Sequence, residues 1–451
     1  MANLDAIFKA YDIRGLVPEE LDADAAWKIG AAFAVFAARP TVLVARDMRP
    51  TGQALSDAFA AGANSQGVDV VDLGLASTDL IYFAAGKLDA PGAMFTASHN
   101  PAGYNGIKLC LAGAAPVGQD TGLREIKALA EQPFNESSTK GGVTQRNLVA
   151  DYADHVRSFV DVASLKPLKV VADCANGMGG YVAPEVFAGL PFEVTYLYAE
   201  LDGTFPNHPA DPINPENIRD LQAKVVADGA DVGLAFDGDA DRVFLVDETG
   251  RGVSGSLTTA LLAKGILAKS PGETILHNCI CSKAVPEVVR ECGGIPIRTK
   301  VGHSFIKQVM LETGAIFGGE HSAHYYFRDN YRADSGLIAS LIVLEQLSTS
   351  GEPLSALLKP LDRYADSGEI NSKVDDTTSA IAEVAAAYST MQQDRLDGLT
   401  VDSGTWWFNL RPSNTEPLLR LNLEAPTREE CEARTKEVLA LVRGPSGPAK
   451  P

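Results

Sequence analysis

The chain has 451 residues, more than one hydrophobic core ordinarily organises, and a globular composition with 45% hydrophobic and 22% charged residues, so three or four domains are expected. Its 39 basic against 58 acidic side chains give a net charge of −19, which argues against nucleic acid or an anionic membrane as partner and requires any anionic substrate to be met by a local cluster of cations and N–H groups. Six cysteines, at 110, 174, 279, 281, 292 and 431, lack the C-x-x-C spacing of a zinc site, and the N-terminus lacks a signal-peptide pattern, which predicts a reduced, soluble cytoplasmic protein.

Short β-branched runs alternate with helical patterns over most of the length, which predicts α/β layers. In the first block (1–146), 41–46 reads as a buried strand, 51–66 as a helix, 68–73 as a strand and 92–96 as a strand entering a loop. A polar stretch at 131–146 separates it from the second block (147–250). There a strand at 168–173 leads through a Gly-rich turn to a helix from Tyr181. A helix over 215–228 is opened by Asn214 as cap and Pro215 in its first turn, and strands at 231–236 and 243–247 flank an acidic loop. The third block (251–362) shows helices near 254–269, 282–292, 303–313 and 333–348, with Cys279 and Cys281 at a strand end. The fourth (363–451) is a smaller α+β pattern: a strand, a helix over 377–391, strands at 405–411 and 418–424, and a helix from Thr427. Its tail, 444–451, reads as disordered. No stretch is long and unbroken enough to predict a membrane span.

Four segments carry chemistry. Asp237-Gly238-Asp239-Ala240-Asp241-Arg242 sets three carboxylates at alternate positions, where they can converge on one hard cation; Mg²⁺ takes oxygen ligands and commonly one from a phosphate. The same residues also suit an acidic turn or a calcium loop, though the flanking strands disfavour an EF-hand and Arg242 favours a phosphate neighbour. Thr96-Ala97-Ser98-His99-Asn100-Pro101 ends an apolar strand and presents Ser98 at a corner, with His99 or Lys108 to handle its proton, and it equally suits a plain turn. Gly318-Gly319-Glu320-His321-Ser322-Ala323-His324 lacks a third zinc ligand at a standard spacing and suits sugar hydroxyls better. Arg411-Pro412-Ser413-Asn414-Thr415-Glu416-Pro417 combines a guanidinium fork, hydroxyls, an amide and loop N–H groups. It reads as an oxyanion cradle or as a hairpin turn.

Taken together, these four segments resemble the active-site loops of the α-D-phosphohexomutase superfamily, in that family's order and at its spacing. Tyr11-Asp12-Ile13-Arg14-Gly15 and the segment D-G-T-F-P-N-H-P at 202–209 strengthen the resemblance, which covers essentially the whole chain and is nearest to the bacterial phosphomannomutase/phosphoglucomutase branch. It implies four domains around a central cleft: three mixed α/β and a smaller α+β domain. It implies interconversion of hexose 1- and 6-phosphates through phosphoserine at Ser98 and a hexose 1,6-bisphosphate. Asp237, Asp239 and Asp241, with a phosphoserine oxygen from Ser98, would hold one Mg²⁺. Arg14, Lys108 and Arg242 would stabilise the transferring group, and Lys108, with His99, would move the sugar's proton. Glu320, Ser322 and His324, with Tyr11, Lys283 and His303 nearby, would bind the sugar. Arg411, Ser413, Asn414 and Thr415 would anchor the non-reacting phosphate.

The sugar loop departs from the family's common pattern, with His at 321 and Ala at 323 where many members have Met and Gly. The resemblance therefore also admits a phosphoglucosamine mutase or, with water intercepting the phosphoserine, a phosphatase on the same fold. Hexose phosphates are the implied partners, and the chain is compatible with a monomer or a dimer.

Overall fold

The strand Thr41–Arg46 shows how the sequence builds the first domain. Its unbroken apolar run is buried on both faces, as a strand inside a largely parallel sheet must be. Val42 and Val44 enter one core with Phe33 and Phe59, while Leu43 and Ala45 enter another with Leu80 and Met94. The computed structural model describes residues 3–413 and 418–443. In it this strand lies within a seven-stranded sheet ordered Ile13–Leu16, Tyr104–Leu111, Gly92–Phe95, Thr41–Arg46, Asp69–Leu75, Val143–Gln145, with Ala115–Pro116 paired to Tyr104–Leu111. Pairing is parallel from Gly92–Phe95 through Val143–Gln145, and Tyr104–Leu111 is antiparallel to both its neighbours along that order.

The second sheet runs Gly252–Val253, Val243–Asp247, Val232–Phe236, Leu168–Asp173, Phe192–Leu197. The third runs Ile295–Thr299, Thr274–Asn278, Phe317–Gly319, Tyr325–Phe327. The fourth, ordered Ala365–Lys373, Leu418–Ala425, Trp407–Pro412, Leu399–Asp402, Gln392–Asp394, is antiparallel throughout. Three mixed α/β domains are thus followed by one built on an antiparallel sheet. One continuous core, including Leu80, Val182 and Leu341, joins the first three. The fourth packs around its own, with Val384, Phe408, Leu421 and Val438.

A fully buried carboxyl sits where the first three domains meet. Asp79, in the first turn of the helix Thr78–Lys87, accepts hydrogen bonds from Ser77, from Tyr152 on the helix Val149–Arg157, and from Ser335 at 2.7 Å, which caps the helix Gly336–Ser350. Burial pushes it up to about 7, against the pull of the three hydroxyls.

Several expectations change. The end of the polar stretch is not a linker, because Val143–Gln145 joins the first sheet beside Asp69–Leu75. Residues 215–228 divide into a 3₁₀ turn, Pro215–Ile218, and an α-helix, Arg219–Asp228; Asn214 accepts from the Glu216 N–H as cap. The helix from Thr377 ends at Ala387, and Gln392–Asp394 is a strand. Cys279 and Cys281 follow the strand Thr274–Asn278, both buried, rather than ending it. The tail 444–451 lies outside the described residues. Among the described residues no helix is long and apolar enough to cross a membrane.

Candidate active site

The strand Gly92–Phe95 ends in a loop that turns Ser98 into the left-handed region at φ 48°, an uncommon conformation for a side-chain-bearing residue. The turn points its hydroxyl at the second domain. Ser98 Oγ donates to Asp237 Oδ2 at 2.8 Å and lies 3.3 Å from His99 Nδ1. The Ser98 carbonyl also backs onto the acidic loop, where Gly238 is obligatory: a Cβ there would stand 2.4 Å from that oxygen.

The antiparallel strands Val232–Phe236 and Val243–Asp247 hold this loop between them. Asp237, Asp239 and Asp241 are all buried, and each offers a ligand atom within 4.8 Å of the others. Asp239 Oδ1 and Asp241 Oδ1 have no hydrogen-bond partner among the described residues. Buried carboxylate oxygens left without donors are costly in a fold and suit a hard cation, so the donor set fits a divalent metal. Thr78 positions one of them, donating through Oγ1 to Asp239 Oδ2 at 2.5 Å and through its N–H to the Asp239 carbonyl.

Two cations balance part of this charge. Lys108, on the strand Tyr104–Leu111, donates to Asp239 Oδ2 and Asp241 Oδ2, both at 2.7 Å. Burial disfavours its ammonium, but the two carboxylates outweigh that and hold it protonated well above the ordinary lysine value. Arg242 donates to Asp237 Oδ2 through Nε at 3.0 Å and Nη2 at 2.8 Å, and its Nη2 also reaches His99 Nδ1 at 2.6 Å. Burial and the Arg242 charge together drive His99 far below the usual imidazole range. His99 is therefore neutral, with Nδ1 as acceptor. Arg14 approaches the same loop from the strand Ile13–Leu16, donating to Asn100 Oδ1 at 2.5 Å and the Ala97 carbonyl, and pairs with Asp12.

The third domain's loop meets this centre through a single antiparallel backbone bridge between Arg242 and His324. His324 Nδ1 lies 2.7 Å from the buried Asp334, a partner the sequence reading does not single out. Glu320 faces inward, accepting from Asn278, the Gly302 N–H and the Tyr326 hydroxyl. His321 pairs with Ser256 Oγ at 2.9 Å and lines a second cavity with Trp407 and Glu424, whereas Ala323 is fully buried at φ 65°.

Lys283 is not gathered with the other sugar-loop residues. Its ammonium is bound by Asp402 at 2.7 Å and the Gly404 carbonyl, across the junction with the fourth domain, because that carboxylate and carbonyl lie within reach of its stem. The side chain of His303, at the start of the helix His303–Thr313, lies outside what is described.

A cleft of about 1060 Å³ separates the first and third domains from the fourth; Tyr11, Arg411 and Ser413 line it. Tyr11 meets Phe305 edge to face. Arg411 donates to Asn422 Oδ1 and to Glu369, and Arg420 also pairs with Glu369. Asn414 and Thr415 lie outside the described residues. The sequence reading misses five further cations that line this cleft, Lys9, Lys300, Lys307, Arg332 and Arg420. No motif marks them, because they converge from separate elements.

The chain matches the phosphoglucomutase/phosphomannomutase family models for α/β/α domains I, II and III over residues 5–136, 150–251 and 254–364, and for the C-terminal domain over 369–441. It is 44% identical over 446 residues to a relative from Xanthomonas campestris pv. campestris named for phosphohexose mutases, covering 97% of this chain and 99% of that one. A phosphomannomutase from Salmonella montevideo is 43% identical over 456 residues, covering 98% and 100%. The crystal structure of a phosphoglucomutase/phosphomannomutase family protein from Burkholderia thailandensis superimposes with a TM-score of 0.90 at 33% identity, covering 99% of both chains. With a buried acidic metal site, a serine against it and a cationic cleft in one fold, the chain belongs to the phosphoglucomutase/phosphomannomutase family and is a phosphohexomutase, an isomerase-class phosphotransferase.

Proposed function

We propose that this protein is a cytoplasmic phosphomannomutase, acting also on glucose phosphates, that works through a phosphoserine at Ser98. The observation that carries the reading is the contact of Ser98 Oγ with Asp237 at 2.8 Å, beside two buried aspartate oxygens without donors. The phosphoserine gives its group to the free hydroxyl of a hexose monophosphate. The resulting hexose 1,6-bisphosphate turns end for end and returns its other phosphate to Ser98. Relatives named phosphomannomutase at 43% and 42% identity favour the mannose substrate, and six free cysteines suit a reducing compartment.

Asp237, Asp239 and Asp241 would hold Mg²⁺, which supplies charge neutralisation at the phosphoryl oxygens. Arg14 and Arg242 spread positive charge around the group in transit, which is most of what phosphoryl transfer asks of a protein. Lys108 would serve the sugar hydroxyl, and the neutral His99, occupied by Arg242, would orient the loop. Glu320, Ser322 and His324 would bind the sugar's hydroxyls. Arg411 and Ser413, with Asn414 and Thr415, hold the remote phosphate on a domain with its own core, and binding energy there fixes the reacting end.

The test is ³¹P NMR with Mg²⁺, a trace of glucose 1,6-bisphosphate, and mannose 1-phosphate, glucose 1-phosphate or glucosamine 6-phosphate in turn. Exchange between 1- and 6-phosphate signals without free phosphate, fastest for mannose, is the expected outcome. Fastest exchange of glucosamine phosphate would make it a phosphoglucosamine mutase, and steady release of inorganic phosphate a phosphatase.

A further inference from the structure

Arg49 lies just past the strand Thr41–Arg46, with its side chain fully buried. Its guanidinium is spent on one object, the loop that carries Ser98. Nη1 donates to the carbonyls of Pro101 at 2.9 Å and Tyr104 at 2.8 Å, and Nη2 to those of Ser98 at 2.9 Å and Asn100 at 2.6 Å. On its other edge Nε faces Asp47 Oδ2 at 3.3 Å, while Asp47 Oδ1 accepts the Arg49 N–H. The ring of Phe205, from the 202–209 segment of the second domain, covers the guanidinium with its centroid 5.2 Å away. That segment is pressed close: a Cβ on Gly203 would stand 2.7 Å from Arg49 Cα and 2.9 Å from Pro50.

This arrangement explains how Ser98 keeps its left-handed φ of 48°. Such a conformation persists only where the surroundings over-determine it. Four carbonyls within seven residues of chain are bound by one rigid planar fork, which a flexible ammonium cannot reproduce. The Ser98 carbonyl is also wedged between this fork and Gly238 of the aspartate loop.

We propose that Arg49, braced by Asp47 and covered by Phe205, is the positioning residue that fixes Ser98 for in-line phosphoryl transfer, and that the 202–209 segment belongs to the machinery through this contact. The inference rests on the phosphoserine reading above. Arg49 touches neither sugar nor phosphate, so it acts on the rate of transfer and not on substrate affinity. A displacement of about 1 Å at a reacting atom costs on the order of 100-fold in rate.

The experiment compares wild type, Arg49→Lys and Phe205→Leu by three readouts: hydrogen exchange of residues 96–104, phosphorylation of Ser98 by glucose 1,6-bisphosphate followed by intact mass, and kcat and KM for glucose 1-phosphate. Expected are exchange of 96–104 about 10-fold faster and kcat and Ser98 phosphorylation down by about 10- to 100-fold in Arg49→Lys, with KM held within a factor of about 3 and smaller changes of the same kind in Phe205→Leu. If Arg49→Lys does not fold, Phe205→Leu, which leaves the buried ion pair intact, decides alone. Unchanged exchange of the loop in a folded variant, or faster exchange with unchanged kcat, overturns the proposal. A wild-type protein that takes no phosphate on Ser98 overturns the phosphoserine reading instead, and hydrogen exchange then still decides whether Arg49 holds the loop.

Discussion

Arg242 and His324 face each other across a single antiparallel backbone bridge, so the residue that closes the aspartate loop is tied, main chain to main chain, to the 318–324 loop of the third domain. The Arg242 side chain then reaches back to Asp237 at 2.8 Å. One residue thus sets the distance between the aspartate loop and the 318–324 loop, and the first three domains, sharing a continuous core, hold it there.

Ser98→Ala removes the hydroxyl that meets Asp237. Turnover is expected to fall by more than about 10³-fold, because no neighbouring group replaces a covalent carrier. Titration calorimetry with glucose 6-phosphate should show binding within a few-fold of wild type. A variant with near-normal mutase rate would sink the phosphoserine mechanism.

Removing divalent cations should abolish activity, and adding Mg²⁺ back should restore it and raise the melting temperature, since a ligand that binds only the folded state stabilises it. Asp239→Asn should lose the Mg²⁺-dependent rise in melting temperature, because it replaces one oxygen of a buried pair that lacks donors. An equal rise in wild type and variant would move the metal elsewhere.

Arg411→Ala should raise KM for hexose phosphates by about 10- to 100-fold, the value of a charged hydrogen bond to an anion, with a smaller effect on kcat. Glu369 keeps Arg420 as partner, so the fold should survive the change. Unchanged kcat and KM would remove Arg411 from the anchor.

Asp79 makes stability depend on pH. Its carboxyl titrates at about 7 in the fold, against an ordinary value of 3.8, because it is buried among three domains. The folded state therefore holds a proton that the unfolded chain releases between about pH 4 and 7. The stabilisation linked to that proton is fully present below pH 4, declines through this window and is gone above it. Asp79→Asn should flatten the decline. Chemical denaturation at pH 5 and pH 8 should show wild type losing roughly 2–4 kcal/mol more than the variant; equal losses would mean that Asp79 is ionised throughout.

Closure of the fourth domain should show in solution scattering as a smaller radius of gyration when glucose 1,6-bisphosphate is added. The structure favours a hinge past Tyr364, at the irregularity between Asp366 and Glu369. Leu361 is buried in the shared core, and Arg363 and Tyr364 are bonded to Glu287 on the third domain. The strand Ala365–Lys373 has an irregularity between Asp366 and Glu369, with Gly368 at φ 64°. Pro at 368 should slow turnover, and identical scattering with and without ligand would count against closure.

Much of this protein is legible in the chain itself. Strand Thr41–Arg46, the strands flanking the aspartate loop and most helices follow from local pattern. The strands of the third domain do not: Phe317–Gly319 is short and has two glycines, and its burial comes only from neighbours. Residues that act as a contiguous motif, such as 96–101 and 237–242, can be read because their chemistry is concentrated within one loop. Arg49, Thr78, Asp79 and Asp334 cannot, because their roles depend on partners brought by other elements.

The sequence by itself carried the four loop motifs and, through their resemblance to the phosphohexomutases, the class of chemistry, since side-chain types are carried residue by residue. Only the tertiary structure decided that Ser98 meets Asp237 across 139 residues, that Lys283 is bound to the fourth domain and that His321 pairs with Ser256. Those outcomes depend on which charges and hydroxyls end up within bonding distance once water is excluded, and chain pattern does not encode such distances.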